Sequence, residues 1–381
     1  MDFALSTKQQ ALQERAREAV DRVVTPVARE AGDDGVLNRD QVSRIYRGLA
    51  PTGYLGSTIS PDVGGAGMSF LDYGLLLEAF GASPFLLGEI VPPRLIARVG
   101  TPEQKARWLP KLLSGEWVAT AAITEPQAGS DTRGFTCEGV ASPTAYRITG
   151  KKKWIKFGGV ADLMALMLVE PGLPPKARHT RLIVERQETP WTAREIPSVG
   201  IRNVSFAEVE FQGAEAPIAN RVSNPGEALQ AFGRGIEASR PFIGLTAIGI
   251  ANHALGLATE YTKGRVAFGR AIAKFQAIQL ALADAAMEIA AARLLCLQAL
   301  WMMDNGVHAA REASMSKVLA TEAAVRACNA AMDVMGAMGL AEEAGVERCW
   351  RDCRMLTVID GTSGINRLIV GRELTGQAAF V

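Results

Sequence analysis

One short run near the end of the chain places an acid where it could act as a general base. Asp360 follows the apolar residues Val358 and Ile359 and precedes a glycine turn that leads into a predicted helix. An aspartate at such a position is most often a helix N-cap, accepting hydrogen bonds from the first helical turn. In an apolar pocket, loss of hydration would instead raise its pKa and make it a stronger base. The residues alone leave both interpretations open.

Two other runs contain residues suited to a planar ligand. Residues 122–131 read AITEPQAGSD, in which small residues admit a ligand close to the backbone and Thr124 and Ser130 offer hydroxyls. An ordinary loop is the alternative for this composition. Residues 150–156 are basic, which is typical of a solvated face, but they include Trp154 beside a predicted turn. An indole in that position often stacks on a flat partner.

A pair of arginines flanks a predicted helix break. Arg265 and Arg270 lie on either side of Phe268 and Gly269, and Gln276 begins the helix that follows. Guanidinium groups placed in this way suit phosphates, which they bind through bidentate hydrogen bonds. A surface ion pair is the alternative role.

The elements that carry these residues occur in the order helical, β, helical. This order predicts a mainly α fold with a central β domain, divided at 1–117, 118–226 and 227–381. The first part is predicted to be a helical domain, in which Thr101 caps a helix over 102–113. The second has short β-rich runs separated by Pro and Gly, typical of a small β-barrel or sandwich. The third is alanine-rich with apolar residues on several faces, which predicts a four-helix bundle or a subunit interface.

Composition excludes several classes of protein. The chain has 381 residues, 48% of them hydrophobic, and a net charge of +1, so neither wholesale disorder nor a polyanion-binding surface is expected. We expect no nucleic-acid partner and no membrane span, since no apolar run approaches the ~20 residues that a span needs. Five scattered cysteines and three histidines indicate reduced thiols and no metal site, which favours a cytoplasmic protein.

Together, in this order, the motifs resemble the acyl-CoA dehydrogenase flavoprotein family over nearly the whole chain. The resemblance covers PDVGGAG from residue 61, TEPQAGSD at 124–131, KKWI at 152–155, GRVAFGRAIAKFQAIQ at 264–279 and DGTSGINRLIVGREL at 360–374. The match is more specific for the fold than for the reaction, because related proteins of this fold perform other chemistry.

The resemblance implies FAD bound between the β domain and the bundle. The backbone around Ile123, Thr124 and Ser130 is then expected at the isoalloxazine ring and the thioester arm, with Trp154 beside the flavin. Further expected cofactor-binding residues are Ile155 and Lys156 near the ring, Thr362 and Ser363 near the nucleotide, and Arg265, Phe275, Gln276, Val334 and Gly336 at the FAD of a neighbouring subunit. The expected substrate-binding residues are Ser130, Ser239, Arg240 and Gly361. A homodimer or homotetramer follows from the shared site.

The family reaction is α,β-dehydrogenation of an acyl thioester. A carboxylate removes the α proton while hydride leaves the β carbon for the flavin, and hydrogen bonds to the thioester carbonyl stabilise the developing negative charge. By the resemblance, Asp360 is the base, the substrate is an acyl-CoA or an acyl-carrier protein, and an electron-transfer acceptor takes the electrons.

This chain departs from the family pattern at its base. The family usually has glutamate where Asp360 stands, and a second family position for the base is Ser239 here. Glu237 is expected to point elsewhere on its helix, so Asp360 is the carboxylate assigned the role. Aspartate reaches about 1.5 Å less far, and a displacement of about 1 Å can reduce a rate on the order of 100-fold. The substrate therefore lies closer to the backbone, or a different acidic carbon is attacked.

Other departures concern the flavin. Lys156 replaces a small hydroxyl residue expected near flavin N5, where it could stabilise an anion or turn away to solvent. Asp333 and Ala337 replace glutamine and glycine near the neighbouring subunit's FAD. A nitroalkane-oxidase type of flavin oxidase, which uses aspartate as its base, and a catalytically silent binding protein are the alternative functions.

Overall fold

Helices form both ends of the chain and a β-sheet lies between them in the computed structural model, which describes residues 4–32, 35–174, 177–223 and 227–379. The mainly α fold with a central β domain is therefore confirmed. The division at 117 and 226 stays a prediction.

The N-terminal helices form where local signals predict them. Thr101 caps its helix: its hydroxyl accepts from the Gln104 N–H at 3.3 Å, and the Gln104 side chain accepts from the Thr101 N–H at 3.0 Å, as in a capping box. A π-helical segment, Val20–Val24, joins the first two helices. The helices are α1 (Thr7–Ala19), α2 (Thr25–Glu30), α3 (Arg39–Leu49), α4 (Phe70–Ala79), α5 (Val91–Val99) and α6 (Pro102–Leu113).

A seven-stranded curled sheet forms the centre of the chain, where the sequence predicts a small barrel. Its strands are β1 (Ala119–Ala122), β2 (Glu138–Ala141), β3 (Ala145–Lys156), β4 (Leu163–Val169), β5 (His179–Glu185), β6 (Thr192–Glu195) and β7 (Phe206–Pro217). They pair in the order β1-β4-β2-β3-β7-β6, with β5 antiparallel to β4. Every residue of β4 and β5 is buried, so these two strands form the core of the sheet.

The C-terminal helices pack as a bundle. They are α7 (Ala228–Gly264), α8 (Gln276–Asp304), α9 (Ala310–Met335), α10 (Val346–Leu356) and α11 (Ser363–Thr375), with the hairpin of β8 (Val266–Ala267) and β9 (Arg270–Ala271) between α7 and α8. The first three pack against one another, and α10 and α11 pack on α9. Small residues permit close approach: a Cβ added to Gly81 would lie 2.0 Å from the Gly249 carbonyl carbon. The bundle therefore docks tightly on the segment after α4.

The expectation that no apolar segment approaches the length of a membrane span was wrong. The part of α7 from Gly235 to Gly264 is long and apolar enough to cross a membrane by length and composition, the only such helix among the described residues. Most of it is buried inside the protein, against α4, α8 and α9. A core helix that is covered on several sides needs apolar residues on all its faces. This explains why its length and composition resemble those of a membrane-spanning helix.

Candidate functional site

Asp360 lies in the turn between α10 and α11, and its backbone is held in the left-handed region with φ of 53°. Thr362, rather than Asp360, is the N-cap of α11, since its hydroxyl accepts from the Ile365 N–H at 3.3 Å. The N-cap interpretation of Asp360 is thus excluded. A non-glycine residue at positive φ is strained and persists only where the surrounding structure fixes it, a situation that recurs at functional sites.

A buried lysine and an asparagine fix this turn. Lys317 of α9 is fully buried, and its ammonium donates to the carbonyl oxygens of Thr357 and Gly361, both at 2.8 Å. Asn366 of α11 donates to the Gly361 carbonyl at 2.8 Å. Burial lowers the pKa of Lys317 to about 8, against the attraction of Asp360, which raises it. The turn that carries Asp360 is therefore held from two helices.

A second carboxylate, which the sequence analysis did not identify, lies close enough to affect Asp360. Glu89 stands between α4 and α5, and its side chain is 6% exposed. The Ser239 hydroxyl donates to Glu89 Oε2, and the Arg94 guanidinium lies 2.5 Å from Glu89 Oε1. Arg94 also donates to the Gly235 carbonyl at 3.0 Å. An acid inside the apolar run LLGEIV was the available signal.

The charges around Asp360 adjust its basicity. Burial and, to a smaller extent, the negative charge of Glu89 raise its pKa to about 6, against the opposing effect of Lys317, Arg240 and Arg94. Burial also lowers the pKa of Arg240. A carboxyl group with this pKa is mostly ionised at neutral pH, yet it binds a proton more strongly than an ordinary aspartate. It can therefore act as a general base.

Lys156 at the end of β3 faces this group of charges. Its ammonium lies 4.0 Å from the position that a Cβ on Gly88 would occupy and 5.0 Å from the ring centroid of Phe157. Burial lowers the pKa of Lys156 to about 8, while Asp360 and Glu89 both raise it. Of the two orientations that the sequence left open, the structure shows the one toward the carboxylates.

The loop at residues 122–131 is held by a buried ion pair. Lys152, fully buried, donates to Glu125 Oε1 at 2.7 Å and to the Ile123 carbonyl at 2.9 Å. Glu125 also accepts from the N–H groups of Thr136 at 2.7 Å and Cys137 at 3.1 Å. The interpretation of the basic run as a solvated face is therefore wrong for Lys152. The pair fixes the backbone where cofactor contacts are expected.

Trp154 lies inside β3 rather than beside a turn, which corrects the sequence interpretation. The register with β7 shifts between Lys152 and Ile155, and in this bulge Trp154 has φ of 61°. Ile155 is buried, whereas Trp154 is 48% exposed. The Lys153 N–H donates to the Thr124 carbonyl at 2.8 Å, which joins the loop to the bulge. The exposed indole thus belongs to the residue that follows this bond between Lys153 and Thr124.

The remaining predicted residues range from exposed to buried. The helix break is confirmed as the β8–β9 hairpin, with positive φ at Phe268 and Gly269, and Arg270 stacks over the Phe275 ring at 4.1 Å. In the described ranges, no hydrogen bond or ion pair joins the hairpin to the Asp360 turn. Exposed positions are Ser130, Arg265, Gln276, Gly336 and Thr362; Phe275, Ser363 and Gly361 are half-buried; Val334, Ser239 and Arg240 are buried.

Comparisons with known proteins agree with this architecture. The acyl-CoA dehydrogenase N-terminal, middle and C-terminal domain models match residues 6–116, 120–214 and 229–375. The chain belongs to the acyl-CoA dehydrogenase family. It is 30% identical to the probable acyl-CoA dehydrogenase YngJ of Bacillus subtilis, over 98% of this chain and 100% of that protein.

Two solved structures show the same fold. Butyryl-CoA dehydrogenase from Megasphaera elsdenii superposes with a TM-score of 0.91 at 27% identity, covering 98% of this chain and 100% of that one. PigA in complex with FAD and proline superposes with a TM-score of 0.91 at 26% identity, covering 98% and 99%. This acyl-CoA dehydrogenase family member is therefore an oxidoreductase by descent.

Within the family fold, the site combines one carboxyl group of raised pKa with fixed cations. The structure brings together Asp360, Gly361, Arg240 and Lys156 from the predicted set, and it adds Glu89, Arg94 and Lys317. Lys317 lies on a buried face of α9 with Ala313, Ala320 and Ala324. A charge on an apolar helix face was the signal that could have found it. Among the residues that the structure describes, no cluster of metal-ligating side chains occurs.

Proposed function

We propose that this protein catalyses the FAD-dependent α,β-dehydrogenation of an acyl thioester, with Asp360 as the base that removes the α proton. The observation that carries the proposal is the Asp360 turn, where a carboxyl group of raised pKa stands at positive φ and its following carbonyl is held by Lys317 and Asn366. Strain of this kind requires surrounding interactions to maintain it.

The residues present fit FAD. Trp154 offers an uncovered indole on a strained bulge, and the adjacent Thr124 belongs to a loop that the Lys152–Glu125 pair makes rigid. These residues, with Ile123 and Ser130, would hold the flavin ring, and Arg265 and Gln276 are exposed and so free to reach the cofactor of a second subunit. When bound, FAD supplies the acceptor for the hydride that leaves the β carbon.

The protein's own groups perform the proton chemistry. Asp360 takes the α proton; near neutral pH it is mostly ionised, so no prior deprotonation is needed. Lys317 orients the turn. Together with Arg240 it supplies positive charge that stabilises the ionised carboxylate of the half-buried Asp360. The aspartate side chain is shorter than the glutamate usual in the family, and the fixed turn holds it in one direction. The thioester must therefore lie close to the Asp360 backbone.

The proposal includes partners. The thioester arm is CoA or a carrier protein, electrons pass to an electron-transfer acceptor, and the protein is a homo-oligomer located in the cytoplasm. An exposed apolar face on α8 supports the homo-oligomer. Every seventh residue along this face is a large exposed apolar side chain, and an exposed apolar face of this kind is typical of a surface that another protein chain covers. These residues are Leu280, Met287, Leu294 and Trp301. A Met287→Glu variant should be smaller than wild type in light scattering coupled to size-exclusion chromatography.

An anaerobic bleaching screen tests the proposed reaction. The flavin-loaded protein is mixed with acyl-CoAs, acyl-carrier proteins and nitroalkanes, and loss of flavin absorbance is recorded. We expect bleaching by thioesters, little bleaching by nitroalkanes, and none by thioesters in the Asp360→Asn variant. Asp62→Asn, an exposed position, is the matched control and should bleach like wild type. Bleaching by nitroalkanes alone, with peroxide formed in air, would identify an oxidase instead.

A further inference from the structure

Several charged side chains act on Asp360, and they include both acids and bases. Glu89, Arg94, Lys156 and Arg240 each interact electrostatically with Asp360, and they come from four separate elements of the fold. An aliphatic acyl tail placed against such groups would strip their hydration and return no hydrogen bonds. The lining therefore disfavours a long hydrocarbon chain.

The carboxylate of Glu89 is already occupied. Its Oε2 accepts from the Ser239 hydroxyl, and its Oε1 contacts the Arg94 guanidinium at 2.5 Å. The segment that carries Glu89 is itself fixed, since the Tyr54 hydroxyl donates to the Gly88 carbonyl at 2.6 Å. Glu89 and Arg94 therefore neutralise each other as a preformed pair, and neither charge is left over for a ligand.

Lys156 differs from the other cations of the site. Lys317 donates to two carbonyls, and Arg240 donates through Nη1 to the Ser314 hydroxyl at 3.2 Å, although its buried Nε has no hydrogen-bond partner among the described residues. In the described part of the chain, no hydrogen bond or ion pair within 4.0 Å involves the Lys156 ammonium, although it is packed beside Gly88 and the Phe157 ring. Its three N–H donors can therefore take an acceptor oxygen from a ligand.

We propose, on the basis of the dehydrogenation proposed above, that the acyl group oxidised here is short and carries an oxygen substituent, a hydroxyl or a carboxylate, that accepts a hydrogen bond from Lys156. The Lys156 ammonium would make the site selective for such an acyl group. A site that donates a hydrogen bond to one substituent of its substrate discriminates strongly against analogues that lack that substituent. The charges of Glu89 and Arg94 cancel, whereas the positive charge of Lys156 has no partner in the described ranges. This positive charge favours an acyl group with an oxygen acceptor over one with an ammonium substituent.

Matched four-carbon thioesters test the inference. Butyryl, 3-hydroxybutyryl, 3-aminobutyryl and succinyl thioesters, together with octanoyl, are presented on CoA and on an acyl-carrier protein, and the concentration for half-maximal anaerobic bleaching is measured. We expect the hydroxyl or the succinyl compound to require at least about tenfold less thioester than butyryl, as expected for a charge-assisted hydrogen bond. Octanoyl should bleach least, and the two oxygenated arms show which substituent is bound.

Variants assign the donor. Lys156→Met keeps the approximate length of the side chain and removes the charge. Measured on the flavin-loaded fraction, the preference over butyryl should therefore fall below about threefold, and Lys156→Arg should restore part of that preference. Lys151→Met is the control, since Lys151 lies on the same strand but is exposed and pairs with Glu210 at 3.2 Å. It should keep the full preference.

Results that overturn the inference about Lys156 can be distinguished from results that overturn the proposed dehydrogenation. Bleaching that favours butyryl or octanoyl would overturn the inference while leaving the dehydrogenation intact. A preference for 3-aminobutyryl would also overturn it, and would assign recognition to Glu89. A preference unchanged in Lys156→Met would show that Lys156 is not the donor. If no thioester bleaches the flavin, the proposed function fails and the inference fails with it.

Discussion

Replacing Asp360 by asparagine should stabilise the protein while it removes the base. Asparagine has nearly the same shape and is among the residues that most readily adopt positive φ, so the turn at φ of 53° is retained. It carries no charge, so the cost of desolvating an ionised carboxylate disappears. The expected result is an enzyme that is more stable but inactive. This is the usual trade-off at a site where the chemistry requires a group that destabilises the folded protein.

The magnitude follows from the pKa. Asp360 has a pKa of about 6 in the folded protein against an ordinary value of 3.8. The difference of about 2.2 between these two pKa values corresponds to a free energy of about 3 kcal/mol. Because the folded pKa is the higher one, the native state binds the proton more tightly. The cost is therefore absent below pH 3.8, grows as pH rises, and is complete above about pH 6. The variant should gain up to about 3 kcal/mol at pH 7.5 and roughly half of that at pH 5.

Urea unfolding followed by circular dichroism at pH 7.5 and pH 5 measures this gain. The control is Asp62→Asn, whose exposed carboxylate lies in the short 3-10 helix Pro61–Val63 and should change stability by less than about 0.5 kcal/mol. An Asp360→Asn protein no more stable than wild type at pH 7.5 would refute the argument that Asp360 is kept ionised at a cost. A gain that does not depend on pH would refute its assignment to the carboxylate.

The other predictions concern the partners of the site. Glu89→Gln removes a like charge and should lower the pKa of Asp360, so the pH midpoint of the bleaching rate should move to lower pH; a shift upward would contradict the stated electrostatics. Lys152→Met leaves Glu125 buried without its cation and should destabilise the protein by roughly 3–5 kcal/mol in urea, whereas Lys151→Met should not. Arg265→Ala should weaken FAD retention during gel filtration, and full occupancy would contradict a cofactor site shared between subunits.

Local signals in the sequence predicted the elements well. Thr101 and the proline after it specify the start of α6 through contacts with the next three residues, and the continuous apolar run at 163–169 forms the buried strand β4. Such features depend on neighbours in the chain, which the sequence displays directly. The bulge at Trp154 was not visible, because a bulge is defined by the register with another strand.

The site divides in the same way. The sequence by itself determined the family, the layout of helices and sheet, and Asp360 as the candidate base, because each is written in a contiguous motif. Only the tertiary structure decided that Glu89 faces Asp360, that Lys317 lies beneath the turn and that Lys156 points inward. These side chains come from α9, β3 and the segment before α5, far apart in the chain. Their charges interact only because packing excludes water and brings them together, and the pKa of a carboxyl group depends on that packing rather than on its neighbours in sequence.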